Sequence, residues 1–117
     1  MTRAVTFAEG KWHEGNPRLV GPMTHGLMLS GFVFDGARAF EDTTPDLDLH
    51  CERAVHSAIV SGFRPDIEGG AIHELAQEGV AKFEKGTELY IRPVFYAESG
   101  AIAPDPDSTR FMVTVYE

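Results

Sequence analysis

The sequence predicts an α+β domain in which a mainly antiparallel sheet packs with two amphipathic helices. Three observations carry that expectation. Residues 88–97 and 110–116 alternate apolar and polar side chains with the period of two of a β-strand. Residues 51–62 and 71–83 repeat apolar side chains at three- and four-residue steps, as a helix with one buried face does. Glu9-Gly10 separates two short apolar runs, a pattern suited to a tight hairpin.

In chain order, Ala4 to Phe7 and Lys11 to His13 form the hairpin strands. Gly15-Asn16-Pro17 and Gly21-Pro22 interrupt regular structure until Thr24, which can cap a short helical turn through Leu29. Phe32 to Phe40 is aromatic, branched or small throughout, and one strand here places Phe32, Phe34, Gly36, Arg38 and Phe40 on a common face. Glu41 to Asp46 is an acidic turn, and Leu47 to Leu49 reads as a short return strand ending at His50.

The first helix buries Cys51, Ala54, Val55, Ala58 and Ile59, turns Glu52, Arg53, His56 and Ser57 outward, and stops at Gly62. The second begins near Ala71 and buries Ile72, Leu75, Ala76, Val80 and Phe83, with Gly79 weakening it by about 1 kcal/mol relative to alanine. Glu88 to Ala97 follows as a strand with Leu89, Ile91 and Phe95 on one face and Tyr90, Arg92, Val94 and Tyr96 on the other. Pro93 predicts an edge position or a bulge, because proline donates no ladder hydrogen bond. After a loop from Ser99 to Asp107, Arg110 to Tyr116 is the last strand.

The chain has 117 residues, 43% hydrophobic and 24% charged, which fits one globular domain, residues 1–117. Its formal charge of −8 has the wrong sign for attracting phosphate backbones or anionic lipid, so nucleic-acid and membrane partners are disfavoured. A single cysteine, Cys51, excludes an internal disulfide and points to a cytoplasmic setting. The five histidines lack paired ligand spacing, so no metal site is expected, and no phosphate-binding glycine loop or nucleophile turn is present.

Chemistry concentrates on two strands, each of which puts an arginine among aromatic or small residues: Arg38 and Arg92. A guanidinium matches a carboxylate through two parallel hydrogen bonds, and Phe34, Tyr90 and Tyr96 would add apolar walls and phenolic donors. Composition alone favours the plainer role for both arginines, surface pairing with one of eighteen acidic residues. Arg53, near the start of a helix, can hold a phosphate or simply stand in solvent.

Thr24-His25-Gly26-Leu27, Val33-Phe34-Asp35-Gly36-Ala37-Arg38-Ala39-Phe40, His50 with Arg53 and Ser57-Ala58, and Tyr90-Ile91-Arg92-Pro93, together with Gly10-Lys11-Trp12, occur in one order and spacing. In these segments the chain resembles the N-terminal small domain of class IV (fold type IV) pyridoxal-phosphate aminotransferases, closest to the branched-chain amino acid enzymes. The resemblance implies a reaction moving an amino group between an amino acid and a 2-oxo acid on pyridoxal 5'-phosphate, in a homodimer. It assigns Arg53 to the cofactor phosphate, and Phe34, Arg38, Tyr90 and Arg92 to the substrate pocket, with His25 structural. D-amino acid and amine transaminases and aminodeoxychorismate lyases share the scaffold, and a noncatalytic domain binding a carboxylate or a partner protein is the alternative outside catalysis.

Two departures stand out. Leu29-Ser30 occupies the place of the family's usual Tyr-Gly, which makes the pocket more apolar there, and Asp35 replaces the commoner glutamate. None of Lys11, Lys82 and Lys85 matches the lysine that anchors the cofactor, so the resemblance implies a catalytic C-terminal domain outside these 117 residues and no activity of the chain alone.

Overall fold

The computed structural model describes residues 2–117. Its elements are β1 (Ala4–Ala8), β2 (Lys11–Glu14), α1 (His25–Met28), β3 (Phe32–Phe34), β4 (Ala37–Ala39), α2 (Leu47–Val60), α3 (Gly69–Val80), β5 (Leu89–Ala97) and β6 (Thr109–Tyr116), with one 3-10 turn at Pro106–Ser108. The strands form one sheet in the order β2-β1-β6-β5-β3, and β4 also pairs with β5. Every one of these pairings is antiparallel, as the sequence predicts.

The hairpin turns on Glu9 and Gly10, both at positive φ (53° and 78°), the turn whose twist suits two antiparallel strands. One face of the sheet carries Val5, Ile91, Phe95, Val113 and Val115, and α2 and α3 cover it with Leu47, Cys51, Ala54, Ala58, Ile72 and Ala76. The opposite face presents Tyr90, Arg92, Val94 and Tyr96 of β5, and among the described residues α2 and α3 pack on the other side. This division follows from the two-residue period of the strands, because each strand has only one apolar face to offer the helices.

Four details differ from the sequence expectation. Leu47 to Leu49 is the first turn of α2 rather than a strand. Leu47 continues the buried stripe one turn back, at spacings of four, three and four to Cys51, Ala54 and Ala58, so burial overrides the short alternation of residues 46–50. Ile59, expected in the core, is 58% exposed, because the narrow stripe is filled by small residues that bring the helix close to the sheet.

Pro93 sits on an interior strand without a bulge, since its pairing with β6 runs unbroken from Tyr90 to Ala97. The consequence falls on the neighbour: the expected strand from Phe32 to Phe40 is divided into β3 and β4. The Asp35 N–H still donates to the Pro93 carbonyl (3.1 Å), but proline has no N–H to return the bond. The register nevertheless carries through, Phe34 opposite Val94 and Ala37 opposite Ile91, so the side chains keep their alternate faces.

Gly79 is not merely a weak helix residue. A methyl group there would lie 2.7 Å from Val115 Cγ2 and 2.8 Å from Trp12 Cη2, so its absence lets α3 seat against β6 and the hairpin.

Candidate functional site

The interrupted strand β3–β4 borders two polar clusters, one on each face. On the helix side, Asp35 lies at the break, only 5% exposed, and α2 brings two residues of its first turns to it. Arg53 Nε donates to Asp35 Oδ2 (2.6 Å) and Nη2 to Oδ1 (2.9 Å), a two-pronged pair. His50 Nδ1 stands 2.8 Å from Oδ1, and the Gly36 N–H donates to the same oxygen at 2.8 Å. His50 Nδ1 is also 3.2 Å from Arg53 Nη2. One nitrogen cannot donate to the carboxylate and accept from the guanidinium at once, and the shorter contact assigns a proton to Nδ1.

Burial pushes the Asp35 carboxyl upward, but the hydrogen bonds from Arg53, His50 and the Gly36 backbone outweigh it and hold the group below the ordinary carboxylate range. The same bond and charge push Arg53 higher still. Arg53 remains 63% exposed, and its Nη1 has no protein partner among the described residues. The cluster therefore fixes a guanidinium at the surface with one edge turned free. Cys51, one helix position away from His50, is fully buried, and burial with the nearby acids Asp35, Glu52 and Asp48 raises its thiol to about 12, so it stays protonated and inert.

On the open face, Arg92 is the centre. Its guanidinium carbon lies 5.3 Å from the Tyr90 ring centroid, 5.4 Å from Tyr116 and 5.5 Å from Phe34, and Nη2 donates to the Tyr116 hydroxyl at 2.6 Å. No carboxylate pairs with it among the described residues. A groove of about 280 Å3 runs beside it, walled by Val20, Leu27, Phe32, Phe34, Val94 and Met112. Arg38, directly opposite Tyr90 in the ladder, is exposed and has no side-chain partner among the described residues. Gly36 is also needed here, since a methyl group at that position would overlap the Tyr90 hydroxyl.

The structure thus gathers Phe34, Arg38, Tyr90 and Arg92 on one face and places Arg53 on the other side of the same strand. Two participants are not singled out by the sequence. Asp35 stands out only as a substituted motif residue, yet it organises Arg53, and its signal is the three-residue step from His50 to Arg53 on one helix face. Tyr116 carries no local signal, because only the β5–β6 register brings it opposite Tyr90. His25 is buried, and its ring overlaps the space a methyl on Gly31 would need. Ser30 adopts the left-handed φ of 58°, where glycine is the easier residue.

No three-residue cluster of His, Cys, Asp or Glu that could hold a metal ion occurs among the described residues, and no helix there is long and apolar enough to cross a membrane. No family model matches the chain. A probable branched-chain-amino-acid aminotransferase of Rickettsia bellii is 35% identical over 83 residues, covering 71% of this chain and 28% of that protein. Its counterpart in Rickettsia typhi is 32% identical over 93 residues, covering 78% and 32%.

Among solved structures, an aminotransferase from Brucella abortus bound to the cofactor PLP matches with a TM-score of 0.93 and 41% identity, over 97% of this chain and 41% of that one. The branched-chain amino acid aminotransferase from Escherichia coli matches with a TM-score of 0.84 and 19% identity, over 98% and 41%, a likeness of fold alone. The chain therefore spans less than half the length of each of these relatives.

Proposed function

The chain is kin in sequence and fold to the class IV aminotransferases of branched-chain type, and from that kinship we propose that it forms the small domain of a pyridoxal 5'-phosphate-dependent enzyme moving an amino group between a branched-chain amino acid and a 2-oxo acid. The observation that carries the proposal is the pair of differently held arginines bordering one strand, Arg53 beside Asp35 and Arg92 within its ring of aromatics.

The residues present fit the cofactor. A phosphate needs fixed, outward N–H donors, and Arg53 offers Nη1 on a guanidinium whose other edge is tied to Asp35. When bound, pyridoxal phosphate supplies the aldehyde carbon that takes up the amino group and the ring that accepts electron density from the substrate carbon. Arg92 and the Tyr90 hydroxyl hold the substrate carboxylate, Phe34 and its apolar neighbours pack the substrate side chain and exclude water, and Arg38, opposite Tyr90 on the ladder, adds positive charge on the same face. The apolar lining from Val20, Leu27, Phe32, Val94 and Met112 favours aliphatic side chains over a second carboxylate.

The lysine that anchors the cofactor belongs, on this proposal, to a second domain outside the 117 residues. Lys82 places its ammonium over the Trp12 ring, Lys85 lies 3.8 Å from Asp42, and Lys11 is on β2, at the far edge of the sheet from β3. We assign the enzyme to the cytoplasm and to a homodimer; Met23, Leu27, Met28 and Leu29, all exposed around α1, give apolar surface for the second copy.

The test is an assay of the enzyme carrying this chain with branched-chain amino acids and 2-oxo acids, with Arg53→Ala in parallel. Amino transfer is expected, with weaker cofactor retention in the variant. Borohydride trapping of the cofactor on Lys11, Lys82 or Lys85 would overturn the assignment of the anchoring lysine to another domain.

A further inference from the structure

We propose that Tyr116 is the positioning residue for Arg92, setting the orientation in which its guanidinium meets a substrate carboxylate; this rests on the role given to Arg92 above. Arg92 Nε is fully buried with no hydrogen-bond partner, and Nη1 has none among the described residues. The one polar tie on the whole fork is therefore the 2.6 Å bond from Nη2 to the Tyr116 hydroxyl. Stacking on Phe34, Tyr90 and Tyr116 at 5.3 to 5.5 Å confines the guanidinium between rings, but ring faces attract a cation without fixing its rotation.

A directional bond to a phenol supplies what stacking lacks. The hydroxyl accepts from Nη2 without bringing the full negative charge of a carboxylate, which in its place would cancel the charge that a substrate anion needs. The register supports the pairing: Tyr116 stands directly opposite Tyr90, with ring centroids 5.5 Å apart, and Thr114 stands opposite Arg92, so the phenol reaches Arg92 diagonally along the open face. Thr114 is itself occupied with Thr6 at 2.8 Å and does not compete for the guanidinium.

Tyr116→Phe keeps the ring and removes only the acceptor. In the full enzyme, KM for the 2-oxo acid is expected to rise about tenfold with kcat within about twofold, as befits a charge-assisted bond acting through binding. Affinity for 4-methylvaleric acid, a carboxylate without a reacting amino or oxo group, should fall by the same factor. In an Arg92→Ala background the same substitution should change neither quantity, since there is no guanidinium left to orient.

A tenfold loss that persists without Arg92 would overturn the proposal, as would an unchanged KM in Tyr116→Phe. A Phe variant that fails to fold would assign Tyr116 to the fold instead. If Arg92→Ala itself binds the acid normally, the failure lies with the role given to Arg92, and the two failures are thereby told apart.

Discussion

The two faces of the sheet hold their arginines in opposite ways. On the helix-covered face Arg53 is bound to a buried carboxylate, so its charge is compensated within the protein and one edge of the guanidinium is presented outward. On the open face Arg92 is held by three rings, one of which also accepts through its hydroxyl, and no carboxylate among the described residues compensates its charge. The difference teaches where each residue's worth lies. On the proposed roles, removing Arg53 leaves Asp35 buried with fewer donors and should damage the fold, whereas removing Arg92 leaves a gap among aromatics and should damage binding.

The largest effect that would break this contrast is on binding at the open face. Arg92→Ala is expected to weaken carboxylate affinity about a hundredfold, a loss typical of truncating one partner of a charged pair, while thermal unfolding moves little. A large fall in melting temperature with unchanged affinity would reverse the assignment of the two faces.

Next comes Asp35→Asn, which removes the acceptor charge from both Arg53 and His50. A loss of about 2 kcal/mol in denaturant unfolding at neutral pH is expected, from hydrogen bonds to a charged group that are no longer charge-assisted. The acid limb should change with it. Because the folded carboxyl titrates below its unfolded value of about 3.9, its contribution is present above that pH and disappears as pH falls through the lower folded value. The Asn variant should therefore converge on the parent protein in strong acid, and a constant gap between the two at all pH values would refute the assignment.

Smaller effects test the tightness of the covered face against the slack of the open side. Gly79→Ala should stabilise a free helix by about 1 kcal/mol, yet here its methyl meets Val115 and Trp12, and a net loss of about 1 to 2 kcal/mol is expected by calorimetry. Ser30→Gly, near the open face, relieves a left-handed backbone and should gain up to about 1 kcal/mol, with no change in substrate affinity.

Much of this was legible in one dimension. The alternation of Leu89 to Ala97 assigned Arg92 and Tyr90 to one face and Ile91 and Phe95 to the other, and the structure keeps that division. The stripes of α2 and α3 were readable from spacing, apart from Leu47 and Ile59, whose burial depends on how closely the helix approaches the sheet, and Phe83, which is buried past the end of α3 at Val80. Pro93 predicts an edge position or a bulge because its missing N–H is a local fact. Whether a neighbouring strand lies on that side, and absorbs the loss by dividing into β3 and β4, is not.

Sequence by itself determined most of the elements, the faces of the strands and the inventory of arginines and aromatics, because these follow from period and residue chemistry over a few adjacent positions. Only the tertiary structure decided what each arginine is tied to. Asp35 meets Arg53 from eighteen residues away and Arg92 meets Tyr116 from twenty-four, contacts set by helix docking and by the β5–β6 register. Those contacts separate a charge compensated by the protein from one left for a ligand, since the energy of a guanidinium depends on its immediate partners and their exposure rather than on its place in the chain.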